Sequence, residues 1–366
     1  MKTIDRIGRR AALMFGLALL LGSVGACSRR SKSETPVTVM TQNVYYGFDV
    51  DPLLGATDPN DIPVLAAQAF AQLNATNFPE RAAAMADTIA RKQPQLVALQ
   101  EVALIRLQSP GDSVVGGTVP ADTVYLDYLQ VLVDALAARG LDYRVAAKNQ
   151  NVDVELPMLV GTSPLAFDDI RLTDFDVVLA RGDVAIANVT TATYAATLPL
   201  ANLGIDVPRG YIALDATVTN RMCYRFVTTH LEDTPFPAVQ MAQAQELVAA
   251  LASETKPLIL AGDFNSDAIT GATYQYLASQ GFADAWLRNE QAGAGAGLTW
   301  GHDPDLTNPA DAFTQRIDLV LTRGGSYRES TVFAEAWGDD LDERTVSGMW
   351  ASDHAGVIAE LWFGRK

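Results

Sequence analysis

Asp263 and Asn265 stand two residues apart, just past the apolar run Pro257-Leu258-Ile259-Leu260-Ala261. On an extended segment residues i and i+2 point the same way, so a carboxylate and a carboxamide enter one pocket, placed to hold a water and an oxyanion. The run before them, short and set between breakers, reads as a strand buried on both faces. Other polar stops follow the same plan beside strand-like runs: Asn43, Glu101, His230, Asp318 and the pair Asp353-His354. Charged side chains are rarely buried without partners, and the ends of strands in an open α/β sheet are where loops converge on a site.

The elements that must carry these groups alternate between strand-like and helical patterns, which indicates one layered α/β domain. A strand over 38–41 leads to Asn43, and one over 96–100 leads to Glu101. A helix starting at Pro79-Glu80, with Ala82, Met85, Ala86 and Ile89 on one face, stops at Gln93-Pro94. Another runs over 125–139, ended by Gly140. Residues 176–180 and 184–189 read as a hairpin around Arg181-Gly182-Asp183, and 211–218 with 223–229 as a second around Asn220-Arg221. Helices are expected over 237–252 and near 273–279, and last strands over 317–322 and 357–362. The stretches 48–78 (with a short helix near 65–73), 106–123, 150–175 and 190–208 read as insertions that shape a cleft.

Gln42-Asn43, Leu99-Gln100-Glu101-Val102, Thr228-Thr229-His230-Leu231, Gly262-Asp263-Phe264-Asn265, Arg316-Ile317-Asp318 and Ser352-Asp353-His354 occur in the order found in the endonuclease/exonuclease/phosphatase superfamily. Over about residues 37–362 the chain resembles that superfamily, in particular its deoxyribonuclease and neutral sphingomyelinase branches. The resemblance implies a four-layer α/β sandwich, two packed mixed β-sheets flanked by helices. It also implies that Asp263 orients or deprotonates the attacking water, that Asn265 holds that water or a phosphoryl oxygen, and that His230 assists protonation of the leaving group. Abasic-site enzymes lack this histidine and carry an acidic residue two positions after the first-motif asparagine, where Tyr45 stands here.

The residue types suit water attack on a phosphodiester, which needs a cation at a phosphoryl oxygen, a base, and stabilisation of the leaving oxyanion. Glu101 is the best ligand for Mg²⁺, with Asn43 and Asp353 completing the site directly or through water; Mn²⁺ or Ca²⁺ are alternatives. His354 would contact the scissile phosphate, with Asp318 fixing its tautomer and favouring its charged form. Arg209 and His302 are candidate substrate contacts; a surface ion pair for the first and an exposed loop histidine for the second are the plainer readings.

Residues 1–26 join a basic start, an apolar run too short to span a bilayer, and small residues before Cys27, and so read as a signal peptide. Val24-Gly25-Ala26-Cys27 resembles a lipobox, which implies cleavage before Cys27, lipidation of its thiol, a tether over 27–36 and a catalytic domain over 37–366. The expected place is the bacterial cell envelope, lipid-anchored, or outside the cell if Cys27 carries no lipid. Cys223 reads as a small core residue, and no disulfide is expected within the mature domain. Removing the leader leaves 23 basic and 42 acidic residues, a net charge of −19. Such a surface repels polyanions, which disfavours nucleic acid as a partner. The sequence therefore points to a monomeric, metal-dependent phosphoesterase acting on a phospholipid headgroup or small phosphodiester. An extracellular endonuclease is the alternative within catalysis, and a lipid-anchored binding protein without activity the alternative outside it.

Overall fold

The computed structural model describes residues 36–200, 203–218, 222–289 and 295–365, so Cys27 and the hairpin turn at Asn220-Arg221 lie outside the described residues. The strands in chain order are β1 (Val37–Asn43), β2 (Leu96–Gln100), β3 (Leu104–Gln108), β4 (Thr123–Asp127), β5 (Tyr143–Thr162), β6 (Leu165–Arg181), β7 (Ala185–Thr193), β8 (Leu198–Leu200) and β9 (Ile205–Val207). They continue as β10 (Gly210–Thr217), β11 (Cys223–His230), β12 (Leu258–Asp263), β13 (Ala283–Asp284), β14 (Asp318–Arg323), β15 (Tyr327–Trp337) and β16 (Gly356–Arg365). The helices are α1 (Asp51–Leu54), α2 (Ile62–Ala75), α3 (Phe78–Lys92), α4 (Tyr128–Ala138), α5 (Pro237–Ala250) and α6 (Ala272–Ser279).

Two large mixed sheets result. One runs β15-β16-β1-β2-β6-β3-β4, with β5 also paired to β6; the other runs β13-β14-β12-β11-β10-β7. Strand alternation sorts their side chains into layers. Val37, Val39, Leu96, Ala98, Val178 and Ala180 of the first sheet meet Ile212, Leu214, Phe226, Ile259, Ala261 and Val320 of the second in a dry middle layer. The opposite faces are covered by helices: α3 and α4 supply Met85, Ile89, Leu132 and Leu136 over the first sheet. Ala244 and Leu247 of α5 and Leu277 of α6 cover the second. Helix, sheet, sheet, helix is the expected four-layer order.

Four local readings are corrected. Arg181-Gly182-Asp183 does not close a hairpin: β6 belongs to the first sheet and β7 pairs with β10 in the second, so this turn carries the chain from one sheet to the other. Residues 150–175, read as an insertion without assigned elements, form the bulk of the long β5–β6 ribbon. The start of the helix expected at 125 is strand β4, because Thr123–Asp127 is edge-paired to β3 and Asp127 caps α4 by accepting from Gln130 N. Cys223 sits at the rim of the core, as its packing role requires, but its sulfur is disulfide-bonded, against the expectation of no disulfide.

The candidate active site

The site is the polar end of the middle layer. Ile259 and Ala261 face that layer, so Asp263, two residues on, faces it too. The same parity carries Phe226 to His230 on β11 and Val320 back to Asp318 on β14. Register then sets the three side by side, since His230 pairs with Asp263 and Asp263 with Asp318. Gly262 permits this alignment, because a Cβ there would lie 2.0 Å from the Thr229 carbonyl oxygen. In the first sheet, Val37 and Val39 lead by the same alternation to Asn43, which pairs with Gln100 beside Glu101.

Three residues at these strand exits have left-handed backbone: Tyr45 (φ 59°), Glu101 (φ 59°) and Asn265 (φ 49°). For Tyr and Glu this conformation costs on the order of 1–3 kcal/mol and persists where surroundings impose it. Arg81 supplies one such constraint. It is fully buried and donates to the carbonyls of Thr76, Val44 (2.7 Å), Tyr45 (3.1 Å) and Ala351 (3.0 Å), joining the segment after β1 to the segment before Asp353. Ser352 Oγ closes the same junction by donating to Asn43 O at 2.8 Å.

Asp263 is the hub. Its Oδ1 accepts from Asn265 N at 2.9 Å, while Oδ2 accepts from Asn43 Nδ2 at 3.1 Å and stands 3.5 Å from His230 Nε2 and 3.8 Å from His354 Nδ1. Burial, then the neighbouring Asp318, push its carboxyl up to about 7. His354 Nδ1 is 2.8 Å from Asp318 Oδ2, which leaves Nε2 as the nitrogen able to face a substrate. Burial would lower the His354 pKa, but Asp318, Asp353 and Asp263 outweigh it and raise it well above the ordinary value. Thr299 Oγ1 holds Asp318 in place by accepting from the backbone N–H groups of Ile317 and Asp318, both at 3.0 Å.

His230 has the opposite surroundings. Arg209 Nη1 lies 2.9 Å from its Nδ1, and since a guanidinium only donates, Nδ1 accepts and the ring proton sits on Nε2, towards Asp263. Burial, then Arg209, then His354 lower its pKa well below the ordinary value. Asn265 Nδ2 approaches Nε2 to 3.2 Å while donating to Leu231 O at 3.0 Å.

Glu101 accepts through Oε1 from Asn43 Nδ2 (2.9 Å) and through Oε2 from Tyr46 N (3.0 Å). Burial and the negative charge of Asp353 push its carboxyl up to about 8. Burial likewise raises the pKa of Asp353, against the opposing pull of His354. Glu101 and Asp353 are thus two buried carboxylates of raised proton affinity, and Asn43 turns its Nδ2 to Glu101 while its Oδ1 accepts from Tyr45 N at 2.9 Å; these hard oxygens, with Asn43 beside them, fit a divalent cation such as Mg²⁺. Asp263, Asp318 and His354 also bring ligand-capable atoms within 4.8 Å of one another. Within that cluster His354 Nδ1 and Asp318 Oδ2 are already hydrogen-bonded to each other at 2.8 Å.

Arg209 is not a surface ion pair: it is buried on the His230 ring, with Asp174 Oδ2 at 3.8 Å and Glu232 Oε1 at 3.7 Å. His302 is not an exposed loop histidine either. It is buried, stacked 4.3 Å from Trp350 and 4.1 Å from Phe313, and burial lowers its pKa to about 4. It bonds to none of the six polar stops, because Trp350 and Phe313 enclose its ring. The sequence reading missed Arg81 as well as Asp174 and Asp176 of β6, whose parity with Val178 turns them into the middle layer. Burial, then Asp174, raise the pKa of Asp176 well above the carboxylate range. A hydrophobic strand interrupted by two aspartates on one face was the available signal.

The Endonuclease/Exonuclease/phosphatase family matches residues 40–354. Among solved structures, a protein of that description from Leptotrichia buccalis C-1013-b superposes with TM-score 0.56 at 18% identity, covering 89% of this chain and 100% of that one. A mannosyl-6-phosphatase from Bacteroides thetaiotaomicron VPI-5482 gives TM-score 0.54 at 16% identity, with 89% and 100% covered. D. rerio TDP2 complexed with single strand DNA product gives 0.50 at 16%, with 90% and 100% covered. At such identities the likeness is one of fold. No curated protein matches the chain by sequence.

Proposed function

Because the chain belongs to the endonuclease/exonuclease/phosphatase family, which includes metal-dependent phosphoesterases and nucleases, we propose that it hydrolyses a phosphodiester with a divalent metal bound at Asn43, Glu101 and Asp353. The observation that carries this reading is the row His230–Asp263–Asp318 across three paired strands, with His354 seated on Asp318. The cation, when bound, draws charge from a phosphoryl oxygen.

The chain's own groups handle the protons. Asp263, whose pKa near 7 suits a base at neutral pH, takes a proton from the water, and Asn265 fixes that water's position. The water oxygen forms its bond to phosphorus as the bond from phosphorus to the departing alcohol oxygen breaks. The His354 imidazolium gives the departing oxygen its proton, the part expected of His230 from the resemblance, because His230 has its pKa depressed and His354 has it raised. His230, neutral with its proton on Nε2, donates a hydrogen bond to a phosphoryl oxygen. A phospholipid or small phosphodiester suits the chain's acidic charge better than a nucleic acid.

Purified protein in Mg²⁺ or Mn²⁺ should hydrolyse bis-p-nitrophenyl phosphate and lose that activity in EDTA. No hydrolysis of this reporter, of sphingomyelin or of plasmid DNA in either metal overturns the proposal. We further propose export to the cell envelope with a lipid on Cys27. The chain has two cysteines, so within one chain a thioether on Cys27 excludes its pairing with Cys223. The intact mass of exported protein decides: a lipid adduct supports the anchor, and an unlipidated disulfide refutes it.

A further inference from the structure

A narrow cavity of about 140 Å³, open to solvent, adjoins the site. Its walls come from three separate parts of the chain: α1 and α2 with Leu53, Ala69 and Phe70, the β5–β6 ribbon with Val154 and Leu172, and the β8–β9 ribbon with Leu203. The walls are aliphatic and aromatic, and the polar side chains on them, Arg209, Glu232 and Asp233, join Tyr46 where the cavity meets the site. Tyr46 N donates to Glu101 Oε2 and Arg209 Nη1 donates to His230 Nδ1, so this end is one residue removed from both the metal carboxylate and a site histidine.

Several of the wall residues, among them Leu53, Phe70, Val154, Leu172 and Leu203, are only partly buried. Apolar surface left open in this way loses about 25 cal/mol per Å² relative to being covered. Water in such a space finds few partners, and an apolar group that displaces it gains affinity. A nucleobase or sugar would bring donors and acceptors that these walls do not satisfy, at a desolvation cost. A hydrocarbon chain brings none.

Resting on the phosphodiesterase reading, we infer that this cavity is a subsite for a linear alkyl or acyl chain carried by the phosphoester. The substrate is then a lipid-like diester whose phosphate sits at Glu101, Asp263 and His354 while its chain lies between α2, β5–β6 and β8–β9.

The test is a series of p-nitrophenyl phosphodiesters whose second ester is methyl, butyl or octyl, each below its micelle concentration. A fully buried methylene contributes about fourfold in binding, so burial of about three of the octyl chain's extra methylenes should already give an octyl-to-methyl ratio of kcat/KM of about 50 or more. Ala69→Trp, which fills the cavity, should bring that ratio towards one. Val154→Gln, which makes a wall polar, should lower it independently if the first variant does not fold. Monomeric dodecylphosphocholine should raise the melting temperature of the protein, and of Ala69→Trp much less, a readout that needs no turnover. If no ester is hydrolysed while the melting shift is present, the phosphodiesterase reading fails and the apolar subsite stands. Equal kcat/KM for methyl and octyl esters with no melting shift overturns the subsite and leaves the reading of the reaction intact.

Discussion

His354 and His230 flank one carboxylate, Asp263, yet they are held by partners of opposite charge. His354 rests on Asp318 at 2.8 Å, whose charge raises its pKa; His230 rests on Arg209 at 2.9 Å, and burial, then that charge, lower its pKa. Two copies of one residue type are thus pushed towards opposite charge states, and in the proposed reaction one gives up a proton while the other donates a hydrogen bond as a neutral ring. The environments differ because the strands differ. Asp318 sits in register beside Asp263 on β14, whereas Arg209 enters from the turn before β10, with Asp174 and Glu232 behind it. Environment, more than identity, sets the role of each group.

The largest effect should come from removing what both histidines share. Asp263→Asn keeps the size of the side chain and its contact with Asn265 N, but takes away the base and the charge between the rings. The value of kcat/KM should fall by about 10³-fold or more, in line with loss of a general base with its electrostatic role. Unchanged circular dichroism and melting temperature would show that the fold survives. Retention of more than a tenth of the activity would remove Asp263 from the centre of the comparison.

Next is the charged side. Asp318→Asn removes the first of the carboxylates that raise the His354 pKa, so that pKa should fall towards the ordinary value. Activity that needs the imidazolium is lost at high pH, and the alkaline limb of the kcat/KM profile should therefore move to lower pH. At pH 8 the loss should be about 10²-fold. Stability should move in the same sense. A histidine whose folded pKa is raised contributes stability that is complete below its unfolded value of about 6.5 and disappears as pH rises through the folded value. The variant should lose that pH-dependent part, as urea titrations at pH 6 and above would show. An alkaline limb that does not move would mean that Asp318 positions His354 without tuning it.

How much of this was legible beforehand follows from the pleat. Asp263, His230 and Asp318 stand where apolar strands run out, and alternation from Ala261, Phe226 and Val320 places all three on one side. Such groups can be read residue by residue, and so can the alternation of helices and strands behind the four layers. Arg81 was hidden because a basic residue early in an amphipathic helix reads as solvated, and only the folded chain reveals the four carbonyls that surround it. Strand β15 was hidden because Arg328, Glu329 and Glu335 break up its apolar pattern, although it pairs along its length with β16. The β6–β7 turn was misread because turn chemistry specifies a reversal locally and does not say which sheet receives the next strand. The left-handed backbone at Tyr45 and Glu101 has no sequence signal at all, since neither residue type favours it.

The smallest effect, and the sharpest, concerns the neutral side. Arg209→Lys keeps a charge near His230 but loses the planar fork that reaches Nδ1. Arg209→Met removes the charge as well. If Arg209 sets the tautomer, Met should let the His230 pKa rise, since the second cause of its depression is gone. The Nδ1 nitrogen should then take up a proton. Ring nitrogen shifts in ¹⁵N-histidine-labelled protein would register that change directly, with Lys intermediate. The acid limb of kcat/KM, set by Asp263 near 7, should stay in place while activity at its optimum falls only about tenfold, because a neutral donor to a phosphoryl oxygen is a modest contributor beside Asp263 and His354. A histidine with a depressed folded pKa costs stability as pH falls below its unfolded value of about 6.5. The Met variant should therefore lose less stability than wild type between pH 6.5 and 5, even if burying Asp174 and Glu232 without their arginine lowers its stability at every pH. Unmoved ring shifts would show that burial alone keeps His230 neutral, and the contrast between the two histidines would then rest on one partner, Asp318, instead of two.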